Sequence, residues 1–245
     1  MDIVQGSTIT YDLRKLLLIG PEKTGKTSFI ATCPRPTLIF AGETGAETRL
    51  GGHKDIDFVR CYDMKGEPGG AGIRRFQRNF RELLTNNKLP YKTIAIDPLS
   101  FISDYTLAEI DRTNPGLRGS NNTFKFWDIL KQKHHEILGQ ILGMTQYVVV
   151  TSHVRLREDE TTGKEMYLAD LNGSIRDSIG GWFDAVLFTT VIPMGNKAKY
   201  VLQAIPDARK KCGVRVPLGM EGKISQHIEP DFAKLKATLV KEVKK

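Results

Sequence analysis

Short apolar blocks bounded by turn residues recur at residues 15–19, 37–41, 93–96 and 147–151, each with the length and composition of a buried strand. Between them the apolar positions switch to helical spacing. One helix is predicted from Lys26 to just before Pro34. After a glycine-rich connection at 65–72, a second places Ile73, Phe76, Phe80, Leu83 and Leu84 on one face, with Arg74, Arg75, Arg78 and Arg81 largely on the other. Residues 98–113 predict a third, ended by Asn114, Pro115 and Gly116, and the stretch to Asn122 lacks periodicity and reads as loop. Thr123 is the predicted N-cap of a long helix with a stripe of Trp127, Leu130, His134, Ile137, Leu138 and Ile141. The block at 147–151 opens into a polar segment, 155–170, too hydrophilic for core and read as loop. Residues 184–192 and 199–205 predict two strands joined by a turn at 193–197, and 229–245 a basic amphipathic helix with Phe232, Leu235 and Leu239 inward. Strand and helix alternate, which predicts an α/β fold with a mostly parallel central sheet flanked by helices and a C-terminal β-hairpin extension. A length of 245 residues suits one domain, 1–245, with a core at about 12–205 and a basic extension at 206–245.

Composition adds a direction. The net charge is +8, and the excess is clustered: residues 60–92 hold eight Lys and Arg against three acids, and residues 205–245 hold ten against five. Clustered cations favour a polyanionic partner, because they release counterions from a phosphate backbone. Cys33, Cys61 and Cys212 are odd in number and far apart, without the spacing of a disulfide framework or a metal site. The chain opens without a basic signal-like segment and holds no apolar run near the ~20 residues of a spanning helix, so a reduced, cytoplasmic protein with no membrane partner is expected. His134 and His135 lie far from any carboxylate signal and are not read as a metal site.

The candidate chemistry begins at residues 20–27, GPEKTGKT, directly after the first apolar block. A glycine-rich turn between a strand and a helix wraps phosphates with successive backbone N–H groups at the helix start. Gly20, Pro21, Glu22, Lys23, Thr24, Gly25, Lys26, Thr27 and Ser28 form this predicted cradle for ATP. Lys26 reaches the β- and γ-phosphates and Thr27 puts its hydroxyl on Mg²⁺. Asp97, at the end of the block in KTIAIDPLS, is the second predicted metal ligand. Pro98 follows it, so the group that orients the attacking water must come from elsewhere. Glu43, just after the block at 37–41, reaches the same sheet edge and is the expected base, with Glu47 as fallback. Ser152 and His153, at the tip of the fourth block in VVVTSHVR, are candidates to contact the γ-phosphate and report its loss to the polar segment at 155–170.

With these residues in view, GPEKTGKTS, FAGETG, IAIDPLS, VVVTSHVR and SIGGWFDAVLF resemble the ATPase core of RecA-type recombinases, and more specifically the fourth Sak family of phage single-strand annealing proteins. The resemblance spans residues 15–190. It implies a RecA-like P-loop ATPase that assembles into a homo-oligomeric ring or filament and binds single-stranded DNA, with activity in annealing or mediation of phage-type recombination inside a bacterial host. A phage single-strand-binding or replication protein would be a further partner. Two DNA-facing loops are implied at 112–122 and 155–179, with Arg118, Arg155, Arg157, Lys164 and Arg176 on phosphates and Tyr167 as a stacking group. Residues 208–213, ARKKCG, resemble the finger of RadA-like proteins, so that Arg209 and Lys211 would act on a neighbouring subunit's ATP. Their order is reversed relative to that pattern. Residues 1–14 are shorter than the N-terminal oligomerisation element of full recombinases, so annealing or assistance is expected ahead of strand exchange.

Two other readings stay open on the residues. A P-loop nucleotide kinase would use 155–164 as an arginine-rich lid, although the late hairpin and Glu43 count against it. A nucleotide-dependent loader would bind a replication protein and hydrolyse slowly.

Overall fold

The computed structural model describes residues 12–86, 90–119, 121–158, 163–216 and 224–240. Strands β1 (Lys15–Ile19), β2 (Thr37–Ala41), β3 (Ile56–Arg60), β4 (Thr93–Asp97) and β5 (Tyr147–Ser152) alternate with α1 (Lys26–Ile30), α2 (Gly45–Leu50), α3 (Ala71–Thr85), α4 (Leu99–Thr113) and α5 (Thr123–Leu142). A separate hairpin, β6 (Val154–Glu158) with β7 (Glu165–Ala169), comes after β5. Then come α6 (Ile175–Ser178), a 3-10 turn at Ile179–Trp182, β8 (Ala185–Met194), β9 (Lys197–Gln203), β10 (Gly213–Val214), β11 (His227–Ile228) and α7 (Phe232–Val240).

The main sheet runs β11-β9-β8-β1-β5-β4-β2-β3, with β10 beside β8. From β8 to β3 every pairing is parallel. The parallel strands are apolar at successive positions because helices cover both faces and alternate residues enter opposite layers. Leu17, Ile19, Phe40, Ile94 and Ile96 pack on one side with Ile73, Phe76 and Phe80 of α3 and Ile137, Leu138 and Ile141 of α5. Leu16, Leu18, Ile39, Ala95 and Val149 pack on the other with Phe29 of α1 and Phe232 and Leu235 of α7. A smaller cluster of Ile110, Phe126 and Leu130 ties the end of α4 to the start of α5.

This is the α/β architecture with a mostly parallel central sheet flanked by helices that the pattern predicts, with several corrections. The polar segment after β5 is the β6–β7 ladder rather than loop: Arg155 pairs with Leu168 and Arg157 with Met166 across it. Its backbone pairs across the ladder, its side chains on β6 stay largely exposed, and of the two strands only Leu168 and Ala169, at the end of β7, are buried. Strand β3 and helix α2 are additions to the predicted elements; β3 is an edge strand with only Ile56 buried, too polar to register as an apolar block. The C-terminal extension is integrated into the sheet, since β10 pairs with β8 and β11 with β9. Thr123 is the first helical residue of α5 and Asn122 precedes it as N-cap, without a side-chain capping bond; the Thr123 hydroxyl donates to Arg118 O at 3.0 Å. Phe126, not Trp127, enters the core: Phe126 is fully buried, whereas Trp127 is 37% exposed. The C-terminal helix starts at Phe232 rather than Glu229, because Asp231 Oδ1 accepts the Lys234 N–H at 2.9 Å and caps it. Ser120, residues 159–162, residues 241–245 and the side chain of Leu239 fall outside the described residues.

His134 completes the α5 stripe, 3% exposed, with neither ring nitrogen hydrogen-bonded. Burial pushes its pKa down to about 4. The unfolded chain therefore binds a proton that the folded chain refuses between about 4 and the ordinary 6.5. Stability should fall as pH drops through that window, and His134→Leu should flatten this part of a denaturant-midpoint-versus-pH curve.

Candidate nucleotide site

Strand β1 delivers the chain to Gly20, whose N–H donates to Ser152 O at 3.2 Å and locks the loop's entry to the tip of β5. A methyl group at Gly20 would lie 2.0 Å from Thr189 Oγ1 on β8, so no other residue fits. Thr24 Oγ1 donates to Pro21 O at 2.7 Å and lies 2.6 Å from Thr189 Oγ1. Lys23 (φ 59°) and Gly25 (φ 95°) turn the backbone through the left-handed region and start α1 at Lys26.

Lys26 is 6% exposed, and its ammonium donates to Gly20 O and Pro21 O, both at 2.7 Å. Burial pushes its pKa down to about 8, against the pull of Asp97, Glu43 and Glu22. Thr27 Oγ1 donates to Asp97 Oδ2 at 2.8 Å, and Thr151 Oγ1 donates to the other carboxylate oxygen. Asp97 is 3% exposed; burial raises its pKa, and the two hydroxyls and Lys26 oppose the rise. Ser28 Oγ accepts from Arg49 Nε at 3.1 Å.

A cavity of about 740 Å³ opens over this loop, lined among others by Glu22, Lys23, Lys26, Thr27, Ser28, Glu43, Asp97 and His153. Gly42, at the end of β2, donates its N–H to Asp97 O at 2.9 Å, which draws the tips of β2 and β4 together and presents Glu43 to the cavity. Burial raises the Glu43 pKa first, the Asp97 charge adds to it, and Lys26 lowers it. That is the environment of a proton acceptor poised above an ordinary carboxylate. Glu47 is committed elsewhere: Arg60 Nε donates to both its oxygens, at 3.1 and 2.9 Å, and Tyr62 OH adds a third bond at 3.1 Å.

His153 is held by its backbone N–H on Ser100 Oγ at 2.9 Å and by its ring edge-on to Phe101, centroids 5.7 Å apart. Burial, and then the Lys26 charge, lower its pKa, so the imidazole is neutral near pH 7. Ser152 is fully buried, with Oγ 3.1 Å from Ser100 Oγ, and is a strut rather than a cavity group.

The hydroxyl of Thr27 and the carboxylate of Asp97 supply only hard oxygen donors at the cavity wall. No cluster of three or more His, Cys, Asp or Glu gathers for a metal among the described residues. That set fits Mg²⁺, which keeps waters and phosphate oxygens in its shell, and does not fit zinc.

The other expected residues lie apart from the cavity. Arg209 and Lys211 are exposed on either side of Lys210, which is tied inward to Gln203 Oε1 at 3.0 Å and lies over the Phe188 ring at 5.1 Å. Arg209 is joined to the hairpin, accepting the Tyr167 N–H on its carbonyl at 2.7 Å and facing Glu165 at 3.4 Å. Arg155 pairs with Asp170 at 2.8 Å, Arg157 with Asp177 at 3.2 Å and Arg118 with Asp111 at 3.3 Å, all with about half-exposed guanidinium groups. Lys164 is exposed, and Arg176 is half-buried with its Nε 3.8 Å from Asp177. Tyr167 differs from an outward stacking group: it is half-buried, with its ring 5.7 Å from Phe188.

Thr151, Thr189, Ser100, Arg49 and Tyr200 join the site without having stood out in the sequence. Tyr200 lines the cavity from β9, and a Cβ at Gly25 would lie 3.3 Å from its ring. Thr151 had a signal, a hydroxyl in the tip VVVTS. The contacts of Thr189 and Tyr200 depend on which strand lies beside β1.

A phosphate chain in this cavity requires a charged Lys26. Nucleotide affinity should therefore fall as pH rises through about 8, the free protein taking up a proton on binding. Calorimetry at pH 8.5 in buffers of different ionisation enthalpy checks this; equal heats in all buffers would contradict it.

Similar solved structures include the KaiC-like protein PH0186 from the hyperthermophilic archaeon Pyrococcus horikoshii OT3, at 12% identity and a TM-score of 0.40, covering 78% of this chain and 77% of that one. The flagellar accessory protein FlaH from Methanocaldococcus jannaschii is similar at 10% identity and a TM-score of 0.36, covering 78% of each. Curated proteins give no match. The AAA_24 family model, described as an AAA domain, matches residues 13–211, from the threshold of β1 through the phosphate loop, Glu43, Asp97 and the hairpin to Lys211. This chain belongs to the AAA_24 family of AAA domains, with a P-loop ATPase-type site.

Proposed function

We propose that this protein hydrolyses ATP and binds single-stranded DNA in phage-type recombination, as an annealing or mediator protein working as a homo-oligomer. The observation that carries the reading is the root of the β6–β7 hairpin. β6 begins one residue after His153, and the Asp170 N–H closes the hairpin onto His153 O at 2.9 Å. A side chain at the cavity wall is thereby continuous with a ladder carrying Arg155 and Arg157.

Each residue of the site has a share of the work. The backbone N–H groups of 21–27 and the Lys26 ammonium bind the phosphates, and Lys26 exchanges its bonds to Gly20 O and Pro21 O for phosphate oxygens. Thr27 and Asp97 would hold Mg²⁺, which neutralises charge on the phosphates when bound. Glu43 accepts a proton from the water that attacks the γ-phosphorus, and ADP and phosphate leave. His153, neutral, hydrogen-bonds the γ-phosphate and shifts the hairpin when it departs. Arg209 and Lys211, exposed beside the anchored Lys210, reach a neighbouring subunit's site. Backbone pairing with β7 holds Arg155 and Arg157, two arginines a kinase would use in a lid, in a ladder, which favours the DNA-binding reading over phosphate transfer to a nucleotide.

ATP turnover, measured by phosphate release with and without single-stranded DNA, should rise with DNA and vanish in Lys26→Ala. Glu43→Gln should lower kcat by about 10²- to 10⁴-fold while leaving nucleotide binding intact; an unchanged rate would remove Glu43 from the chemistry. DNA affinity should fall steeply with salt. Replacing Arg155 and Arg157 together with Ala should reduce the log–log salt slope by roughly 1.4, at about 0.7 for each phosphate contact on a single strand.

A further inference from the structure

The outward face of α5 takes no part in the nucleotide cavity. Phe124, Trp127, Lys131 and His135 are spaced three and four residues apart, so they share one side of the helix. Phe124 is 84% exposed and Trp127 37%, although a core cluster of Ile110, Phe126 and Leu130 lies directly behind them. At the far end of the stripe the His135 ring lies 5.3 Å from the Trp182 ring.

Cations border the rings. The Arg118 guanidinium sits 6.0 Å from the Trp127 ring centroid and 5.7 Å from that of Phe126. Lys125 and Lys131 have no ion-pair partner among the described residues. On the opposite flank, Gly173 packs beside Trp127 and Leu130, three residues before Arg176. The stripe therefore runs between the turn carrying Arg118 and the turn at Gly173 that leads into α6 with Arg176, two segments expected to face DNA.

We propose that this face of α5 is a base-stacking platform for single-stranded DNA: Phe124 and Trp127 stack on unpaired bases while Arg118 and Lys131 take the adjoining phosphates. The proposal rests on the DNA-binding reading above. It places the stacking contact on α5, because Tyr167 is turned against Phe188. Charge complementarity selects the occupant. A helix docking on a second copy or another protein would extend its apolar anchors through the next two turns. Here those positions are Lys131 and His135, so the two rings are followed by a cation and an imidazole, and the bordering cations Arg118, Lys125 and Lys131 outnumber the one acid on this side of the helix, Asp128.

The test compares oligo(dT) with an abasic deoxyribose-phosphate oligomer of equal length, which keeps the phosphates and removes the rings. The full chain is used with Trp182→Phe, which leaves Trp127 as the one indole of the two in the sequence. Oligo(dT) should quench the Trp127 fluorescence and bind more tightly than the abasic oligomer. Phe124→Ala should weaken oligo(dT) binding on the order of tenfold and leave abasic binding and the melting temperature unchanged; Phe124→Tyr should restore it. Equal binding of oligo(dT) by Phe124→Ala and the parent overturns the platform while the DNA-binding reading survives. A drop in native mass in Phe124→Ala also overturns it and assigns the face to a second copy. A parent protein that binds neither oligomer removes the DNA-binding reading and the platform together.

Discussion

The site depends on one buried carboxylate. Asp97 lies at the tip of β4 with two hydroxyls on it, Thr27 from the start of α1 and Thr151 from β5. Those bonds fasten the phosphate loop, the tip of β4 and the strand leading to His153 to one another. Burying a carboxylate costs several kcal/mol in effective terms even after relaxation, and the two hydroxyls with the nearby Lys26 charge offset only part of that. Lys26 is under matching pressure, pushed toward its neutral form by the same burial. Without a ligand its ammonium has backbone carbonyls as partners. Nucleotide and metal bring the opposite charges both groups lack, so the site gains on binding what folding left unsatisfied.

Sheet order makes this geometry possible. β5 lies between β1 and β4, which separates the phosphate loop from Asp97 by one strand and places Thr151 and His153 between them. The tip of β2 lies next to β4, so Glu43 lines the same cavity as the loop and Asp97. On the other side β8 and β9 brace the loop, Thr189 against Gly20 and Thr24 and Tyr200 against Gly25. The antiparallel addition is thus part of the site's wall, although it carries no phosphate-binding motif.

Features were legible in the sequence to the extent that local residues determine them. Buried parallel strands announce themselves as apolar blocks, and β1 and β2 fall on the predicted residues, with β4 and β5 one residue longer. The loop motif and the strand-end positions of Glu43, Asp97 and His153 are equally local, and all of them line one cavity. Edge and hairpin strands are another matter, since β3, β6 and β7 have a strand partner on one side only and mix polar with apolar residues, so that none forms a continuous apolar block. Trp127 and Phe126 show the limit of helical periodicity: a one-residue rotation decides which ring is buried, and the neighbouring α4 sets it. The partners of Thr151, Thr189 and Tyr200 come from strand order, which no single block encodes.

If the hairpin binds DNA as proposed, the ion pairs of its arginines must not withhold them from it. Arg155 with Asp170 and Arg157 with Asp177 are half-exposed pairs, worth about 0–1 kcal/mol each. A phosphate can replace such a carboxylate at little cost, so the pairs aim the guanidinium groups without sequestering them. The carboxylates also lie where the hairpin returns to the core, Asp170 bonded through its N–H to His153 O and Asp177 in α6. Displacing the Asp170 carboxylate would act on the residue whose backbone joins the hairpin to the nucleotide cavity. Because coupling between two binding sites is reciprocal, any gain in DNA affinity from ATP must equal the gain in ATP affinity from DNA, and that contact is where the two would meet.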